Sequence, residues 1–196
     1  MTFWLLANIC SNPTIFHSFA AEIDDAILAS ESVTALSMNL QKRAPLNAVY
    51  NENLRIVNNS STDRLVAEKC SINGKTYQPG ARILMVYRSL AMSQDVFGMD
   101  SNIFRPERFL LDKKLDRSRS FTPFGGGKHM CPGRFITKRA SMAFAALVVH
   151  RFQVDAMDTL PDMNLSKLPL GPVEPVKGTD MRLSISHHRD VKYGEK

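Results

Sequence analysis

The chain has 196 residues, 44% hydrophobic and 22% charged, enough for one globular domain with a substantial core and unlike a disordered or collagen-like polypeptide. Its 25 basic residues against 19 acidic ones give a net charge of +6, which favours acidic partners, but no arginine-rich helix or aromatic RNA-binding motif accompanies the charge, so no nucleic-acid partner is expected. Three cysteines, Cys10, Cys70 and Cys131, are odd in number and scattered, which argues against a disulfide framework and for a reducing compartment.

In chain order, residues 1 to 11 read as the last turns of an apolar helix. The run from Phe3 to Ile9 is too short to span a bilayer, and with no basic leader before it the chain is expected to carry no anchor of its own. Asn12 can cap a second helix with Pro13 in its first turn, and Phe16, Phe19, Ala20, Ile23 and Ile27 then recur on one helical face. Residues 29 to 43 are polar and mixed, a loop or a weak short helix. Residues 45 to 57 carry Leu46, Val49, Leu54 and Val57 on one stripe, with Glu52 and Arg55 close enough on the helix surface to pair. By itself such a pair is an ordinary surface contact contributing roughly 0.2 to 0.5 kcal/mol.

Short apolar alternation from Arg64 to Ile72, an Asn73-Gly74 turn and the Pro79-Gly80 entry to residues 81 to 87 predict a small antiparallel sheet. Residues 95 to 108 read as a short helical turn followed by irregular chain, and residues 111 to 120 as a charged loop. The stretch Phe124 to Gly133, FGGGKHMCPG, places Cys131 at the end of a glycine-rich loop. Gly125 to Gly127 permit positive φ and close backbone approach to a flat ligand. Pro132 suits a helix start, so Cys131 is expected at the mouth of the following helix, where the positive end of the dipole suits an anionic sulfur ligand. That helix shows Ile136, Ala140, Ala143 and Leu147 at helical spacing, with the small alanines suited to close packing on a plate-like cofactor. Beyond Phe152 the chain turns proline-rich, with Pro161, Pro169, Pro172 and Pro175, and ends in an alternating strand from Met181 to Ser186. His187-His188 reads as part of a polar tail rather than a metal site.

The cysteine loop has three other possible chemistries. A phosphate loop fails because Thr122 stands where its first glycine belongs and His129 where Ser or Thr should follow Lys128. Zinc fits poorly, since His129 and Cys131 give only two ligands with no second pair nearby. A buried apolar cysteine on a turn is the bland alternative.

The loop resembles the haem-binding segment of the cytochrome P450 family, whose pattern is Phe, two residues, Gly, three residues, Cys, one residue, Gly. Phe124, Gly127, Cys131 and Gly133 match all four fixed positions. A second resemblance comes from Glu52 and Arg55 followed by Pro106-Glu107-Arg108-Phe109. In the family such a Glu-x-x-Arg pair is completed by the arginine of a Pro-Glu-Arg-Phe stretch into a structural triad, here Glu52, Arg55 and Arg108.

The resemblance implies a mainly α fold with small antiparallel β-sheets, an incomplete domain equal to the C-terminal portion of a eukaryotic family member, fungal ones included. Residues 1 to 11 would end the distal helix, 12 to 30 form a helix, 45 to 58 the Glu-x-x-Arg helix, 64 to 87 the sheet, 104 to 120 the meander, 121 to 152 the cysteine loop and helix, and 153 to 196 the terminal strands and tail. It further implies haem b held by Cys131 as proximal iron ligand, with Arg64 and His129 facing the haem propionates. Position in the motif alone assigns those two, which otherwise read as solvated surface groups. Ala91 stands where many members have histidine, a departure expected to weaken cofactor retention.

The implied activity is a haem-thiolate monooxygenase oxidising a small apolar substrate with O2 and reductase-supplied electrons. No catalytic residue is assigned, because the family's oxygen-activating residues lie upstream of these motifs. The alternatives are a non-catalytic remnant that binds haem weakly or serves as an interaction module, and a haem-thiolate isomerase or dehydratase. An acidic, NADPH-dependent flavoprotein reductase would dock on Lys128, Arg134, Lys138 and Arg139, a cluster that reads equally as a solvated basic face. A full-length form would sit at the cytosolic face of the endoplasmic reticulum membrane.

Overall fold

The computed structural model describes residues 1–167 and 170–187. Four helices open the chain: α1 (Thr2–Cys10), α2 (Pro13–Leu28), α3 (Val33–Lys42) and α4 (Ala44–Val57). Strands β1 (Asn58–Leu65), β2 (Cys70–Ile72), β3 (Lys75–Tyr77) and β4 (Arg82–Val86) follow, then the short helices α5 (Tyr87–Ala91), α6 (Gln94–Phe97) and α7 (Glu107–Leu111). After the glycine loop come α8 (Arg134–Arg151) and the strands β5 (Phe152–Ala156), β6 (Met163–Asn164), β7 (Leu170–Pro172), β8 (Glu174–Pro175) and β9 (Leu183–His187). The fold is mainly α with small antiparallel sheets, as the sequence implies. Among the described residues no helix is long and apolar enough to cross a membrane.

Local chemistry explains the helix starts. The Asn12 side chain accepts from the Ile15 N–H at 3.2 Å with Pro13 next to it, and Ser32 accepts from the Ala35 N–H at 3.1 Å, each satisfying one orphan donor of a first turn. The Ser32 cap makes residues 33 to 42 a full helix, the stronger of the two sequence expectations for this polar stretch. Its Leu36 and Leu40 are buried.

Helix α4 is the hub. Ten of its fourteen residues are buried, among them the polar Glu52, Asn53 and Arg55, so it is enclosed all round rather than amphipathic. Its apolar residues join those of α1, α2, α3 and α8 in one core that includes Leu5, Phe16, Phe19, Leu46 and Met142. Trp4 donates from its indole to the Val173 carbonyl at 2.7 Å, tying α1 to the segment between β7 and β8. Cys10 packs into the core, where burial and the Asp155 charge push its thiol up to about 11. All three cysteines are free thiols.

The strands differ from the sequence reading in two ways. Strand β1 begins at Asn58, directly after α4, and lies between β4 and β7 with antiparallel pairing on both sides. Strands β2 and β3 form a separate hairpin rather than joining that sheet; its turn has Asn73 at φ 47° and Gly74 at φ 76°, the two left-handed residues of a type I′ connection. Alternation alone does not state which strand finds which edge. The terminal strand, β9, pairs with β5 over Phe152 to Ala156 and includes His187, which is therefore not tail. His188 and Pro169 lie outside the described residues.

The expected face of α8 is also corrected. Its buried residues are Ser141, Met142, Ala145, Ala146 and Val149, whereas Ile136 is 71% exposed and Ala140 is exposed too. Leu147 packs partly against the core. The apolar stripe read from the sequence is real as spacing, but its first half, Ile136 and Ala140, faces outward and its second half, Ala143 and Leu147, is only partly buried.

Candidate functional site

Two constructions make up the site, a buried charge cluster and the cysteine loop. In the first, Glu52 and Arg55 are wholly buried on α4, and Arg108 on α7 is 3% exposed. Arg55 grips the carboxylate side-on, Nε to Oε2 at 2.8 Å and Nη2 to Oε1 at 2.7 Å, while Arg108 Nε and the Arg105 backbone N–H reach the same Oε1 at 3.0 and 2.8 Å. The remaining guanidinium donors go to backbone carbonyls. Arg55 Nη1 donates to Ala91 and Ser101 at 2.8 and 2.5 Å, and Arg108 donates to the carbonyls of Phe97, Asp100 and Ile103. The three residues that the sequence paired across more than fifty positions thus meet. Their protons staple the chain from Ala91 to Arg108 onto α4, which is how a stretch with only short helices stays ordered.

The stapled segment leads by way of the 3₁₀ turn Leu115–Arg117 to the cysteine loop. Gly125 and Gly127 adopt φ 75° and 64°, conformations that disfavour any Cβ, whereas Gly126 at −153° is extended and imposes no such demand. Two of the three consecutive glycines are therefore conformationally required. The Cys131 N–H donates to the Phe124 carbonyl at 2.9 Å, closing the loop, and the half-buried Phe124 ring packs on the main core. Helix α8 begins at Arg134 with Gly133 as its cap residue, so Cys131 precedes the helix rather than occupying its first turn. Arg134 instead donates to the Cys131 carbonyl at 2.9 Å. Gly133 lies beside the sulfur, where a Cβ would stand 3.7 Å from it in ordinary van der Waals contact.

Cys131 is exposed and faces a cavity of about 460 Å³, within the range of small-molecule sites. Phe124, Gly125, His129 and Cys131 of the loop line this cavity together with Asn58, Ser60 and Thr62 of β1 and Tyr87 of α5. Of the candidate cofactor contacts, Phe124, His129 and Cys131 line the cavity, and Gly127 and Gly133 shape the loop behind it. Arg64 does not line it. It is exposed on β1, donating to the Asp63 carbonyl at 2.9 Å, two residues beyond Thr62 and on the same face of the strand.

The residues suit a haem. A soft sulfur donor is presented at the cavity, the backbone on its loop side is bare where Gly125 and Gly127 turn, and a Cβ on Gly125 would advance to 3.7 Å from the Tyr87 hydroxyl, narrowing the space. Sequence reasoning missed Asn58, Ser60, Thr62 and Tyr87. The available signal was the polar run Asn58 to Thr62 following directly on a buried helix, too short on apolar residues to be a core strand.

Of the four basic residues grouped by sequence, Arg134 and Lys138 border one groove beside Tyr50, while Arg139 faces another. Lys138 is half-buried with its ammonium 5.7 Å from the Tyr50 ring centroid, and burial lowers its pKa below the ordinary lysine value. Arg134 lies 4.2 Å over the Phe135 ring, Arg139 borders a groove between α8 and α3, and Lys128 is exposed on the loop.

Comparison with known proteins matches residues 1–177 to the family model described as Cytochrome P450. A "Cytochrome P450 monooxygenase" of Gibberella zeae is 31% identical over 170 residues, covering 80% of this chain and 32% of the relative. "Cytochrome P450 82A2" of Glycine max is 29% identical over 185 residues, 91% of this chain and 33% of the relative. "Flavonoid 3'-monooxygenase" of Petunia hybrida is 30% identical over 169 residues, 82% of this chain and 32% of the relative. The chain spans about a third of the length of these relatives.

Proposed function

The chain belongs to the cytochrome P450 family, and on that premise we propose that it forms the cysteine-ligand side of a haem-thiolate monooxygenase acting on a small apolar organic substrate. The reading is carried by one observation: the Cys131 thiol, exposed beside a cavity of about 460 Å³ at the end of a loop that two left-handed glycines hold open. Haem b bound there would supply the oxygen-activating chemistry. Cys131 would be its iron ligand, Phe124, Gly127 and Gly133 would hold the loop, and His129 would face a haem carboxylate, with Arg64 reaching the rim from the cavity-side face of β1. Glu52, Arg55 and Arg108 would keep the loop's approach segment fixed. Electrons would come from an NADPH-dependent flavoprotein reductase docking near Lys128, Arg134, Lys138 and Arg139. Of these, Lys128 and Arg139 are the exposed ones, and half-burial of Lys138 makes it the weakest contributor.

The test is haem uptake by the chain as written, followed by reduction and exposure to carbon monoxide. A strongly red-shifted, thiolate-type absorption band that disappears in Cys131→Ala is expected. The same band surviving in Cys131→Ala would remove the assignment.

A second reading, an interaction module without catalysis, is favoured by the apolar surface on α8, where Phe135, Ile136 and Phe144 are 61%, 71% and 51% exposed. It predicts a chain that takes up no haem yet associates with another polypeptide through that helix. Haem uptake with the thiolate-type band decides for the first reading.

A further inference from the structure

A haem carries two carboxylates as well as its iron, and a carboxylate entering a cavity needs donors to replace its water. Among the described residues lining the Cys131 cavity there is no arginine or lysine. The cationic side chains nearby are engaged elsewhere or stand outside: Arg88 donates to the Ile56 carbonyl at 2.7 Å, and Arg64 is exposed beyond the rim. What the side chains of the walls offer are hydroxyls, the Asn58 amide and the His129 imidazole. Ser60 is already committed, its hydroxyl and N–H both directed at the Asn58 side-chain oxygen, the N–H at 3.2 Å.

Tyr87 is different. It is 9% exposed, sits where β4 passes into α5, and lines the cavity. Its hydroxyl makes no hydrogen bond among the described residues. The hydroxyl and the His129 carbonyl lie 3.7 and 3.9 Å from the point where a Gly125 Cβ would stand, so tyrosine and histidine belong to one end of the cavity. A phenol whose ring is buried and whose hydroxyl has no partner among the described residues, at the edge of a ligand-sized space, has a donor to give.

We propose that Tyr87 positions the cofactor by donating its hydroxyl hydrogen bond to one carboxylate of the bound haem, beside His129. The inference rests on the haem reading above and assigns to a neutral hydroxyl a task for which the sequence offered only Arg64 and His129.

The experiment titrates wild-type protein and Tyr87→Phe with haem and with haem dimethyl ester, whose carboxylates are blocked, following the visible absorption of the bound porphyrin. The variant keeps the ring and its packing. A hydrogen bond to a charged acceptor predicts about ten-fold weaker haem binding in Tyr87→Phe, with the ester binding both proteins equally. Equal haem affinity in the two proteins, or an equal loss for haem and ester, overturns the role of Tyr87 while leaving the haem site standing. Any general loss of fold lowers both ligands together and is read from the ester. Wild-type protein that takes up neither porphyrin overturns the haem reading itself, and this inference with it.

Discussion

Glu52→Gln preserves the volume of a wholly buried side chain and removes only its charge. In the native protein that carboxylate accepts four hydrogen bonds, two from Arg55, one from Arg108 and one from the Arg105 backbone. The glutamine amide can accept through one oxygen, but its NH₂ group faces a guanidinium that also only donates. Arg55 and Arg108, 0% and 3% exposed, are left with no buried counter-charge. Asp100, 27% exposed in its side chain, stays near Arg108 at 3.4 Å and supplies part of the lost compensation, but it does not reach Arg55. Removing one partner of a buried pair costs about 3 to 5 kcal/mol, and the Asp100 contact places the expectation toward the lower end. At about 2 to 4 °C per kcal/mol for a chain of this size, the midpoint of thermal unfolding falls by roughly 6 to 20 °C. Unfolding by heat and by urea, followed by far-ultraviolet circular dichroism, measures it. The control is Glu22→Gln, which breaks the 3.0 Å pair with Arg43 where both side chains are about a third exposed, and which costs at most about 1 kcal/mol. A Glu52→Gln loss no larger than the control would refute the argument that this cluster anchors the segment from Ala91 to Arg108.

The glycine loop gives a paired prediction, since Gly127→Ala at φ 64° costs about 1 to 2 kcal/mol from backbone strain alone, while Gly126→Ala at φ −153° with nothing within 4 Å is neutral; thermal unfolding separates them. On α8, Met142→Ala at 1% exposure costs about 2 to 5 kcal/mol, and Ile136→Ser at 71% exposure changes stability by no more than about 0.5 kcal/mol, read from urea midpoints. Asp158 is held down to about 2 by its hydrogen bonds from Arg182. Because that pKa is depressed in the folded chain, the link is present above the ordinary carboxylate value and is lost as pH falls through about 2. The amide signals of β9 in nuclear magnetic resonance spectra are expected to hold to below pH 4 and shift toward pH 2, with Asp158→Asn abolishing that transition.

What the sequence made legible follows from how local each signal is. Asn12-Pro13 marks a helix start because cap and proline act within one turn, and Asn73-Gly74 marks a hairpin because two left-handed residues suffice for it. The partners of those elements are another matter. Strand β1 pairs with β7, more than a hundred residues away, and nothing in Asn58 to Leu65 names that edge. Helix α8 shows the same limit in a helix. Its apolar residues ring more than one face, so spacing could not state which stripe the core would take, and the α2, α3 and α4 surfaces selected the one through Met142 and Val149.

The site divides along the same line. Cys131 and the Glu52, Arg55 and Arg108 cluster were readable because each lies in a short spacing with few physical alternatives, a sulfur beside obligate glycines and a carboxylate between arginines. The β1 and α5 residues of the cavity were not, since Ser60, Thr62 and Tyr87 are residue types that any surface strand carries, and they become significant only when the fold sets them beside the loop. The cluster adjoins both. It holds no cavity residue itself, yet Arg55 anchors the Ala91 carbonyl at the end of the short helix that Tyr87 begins, and Arg108 anchors the carbonyls of Phe97, Asp100 and Ile103 in the segment that precedes α7. A buried carboxylate on α4 therefore holds, through its two arginines, chain that leads to the cavity from both the α5 and the loop direction. By that reasoning, loosening Glu52 should weaken porphyrin binding through both walls at once, for the free acid and the ester alike, whereas removing the Tyr87 hydroxyl should act on the free acid alone.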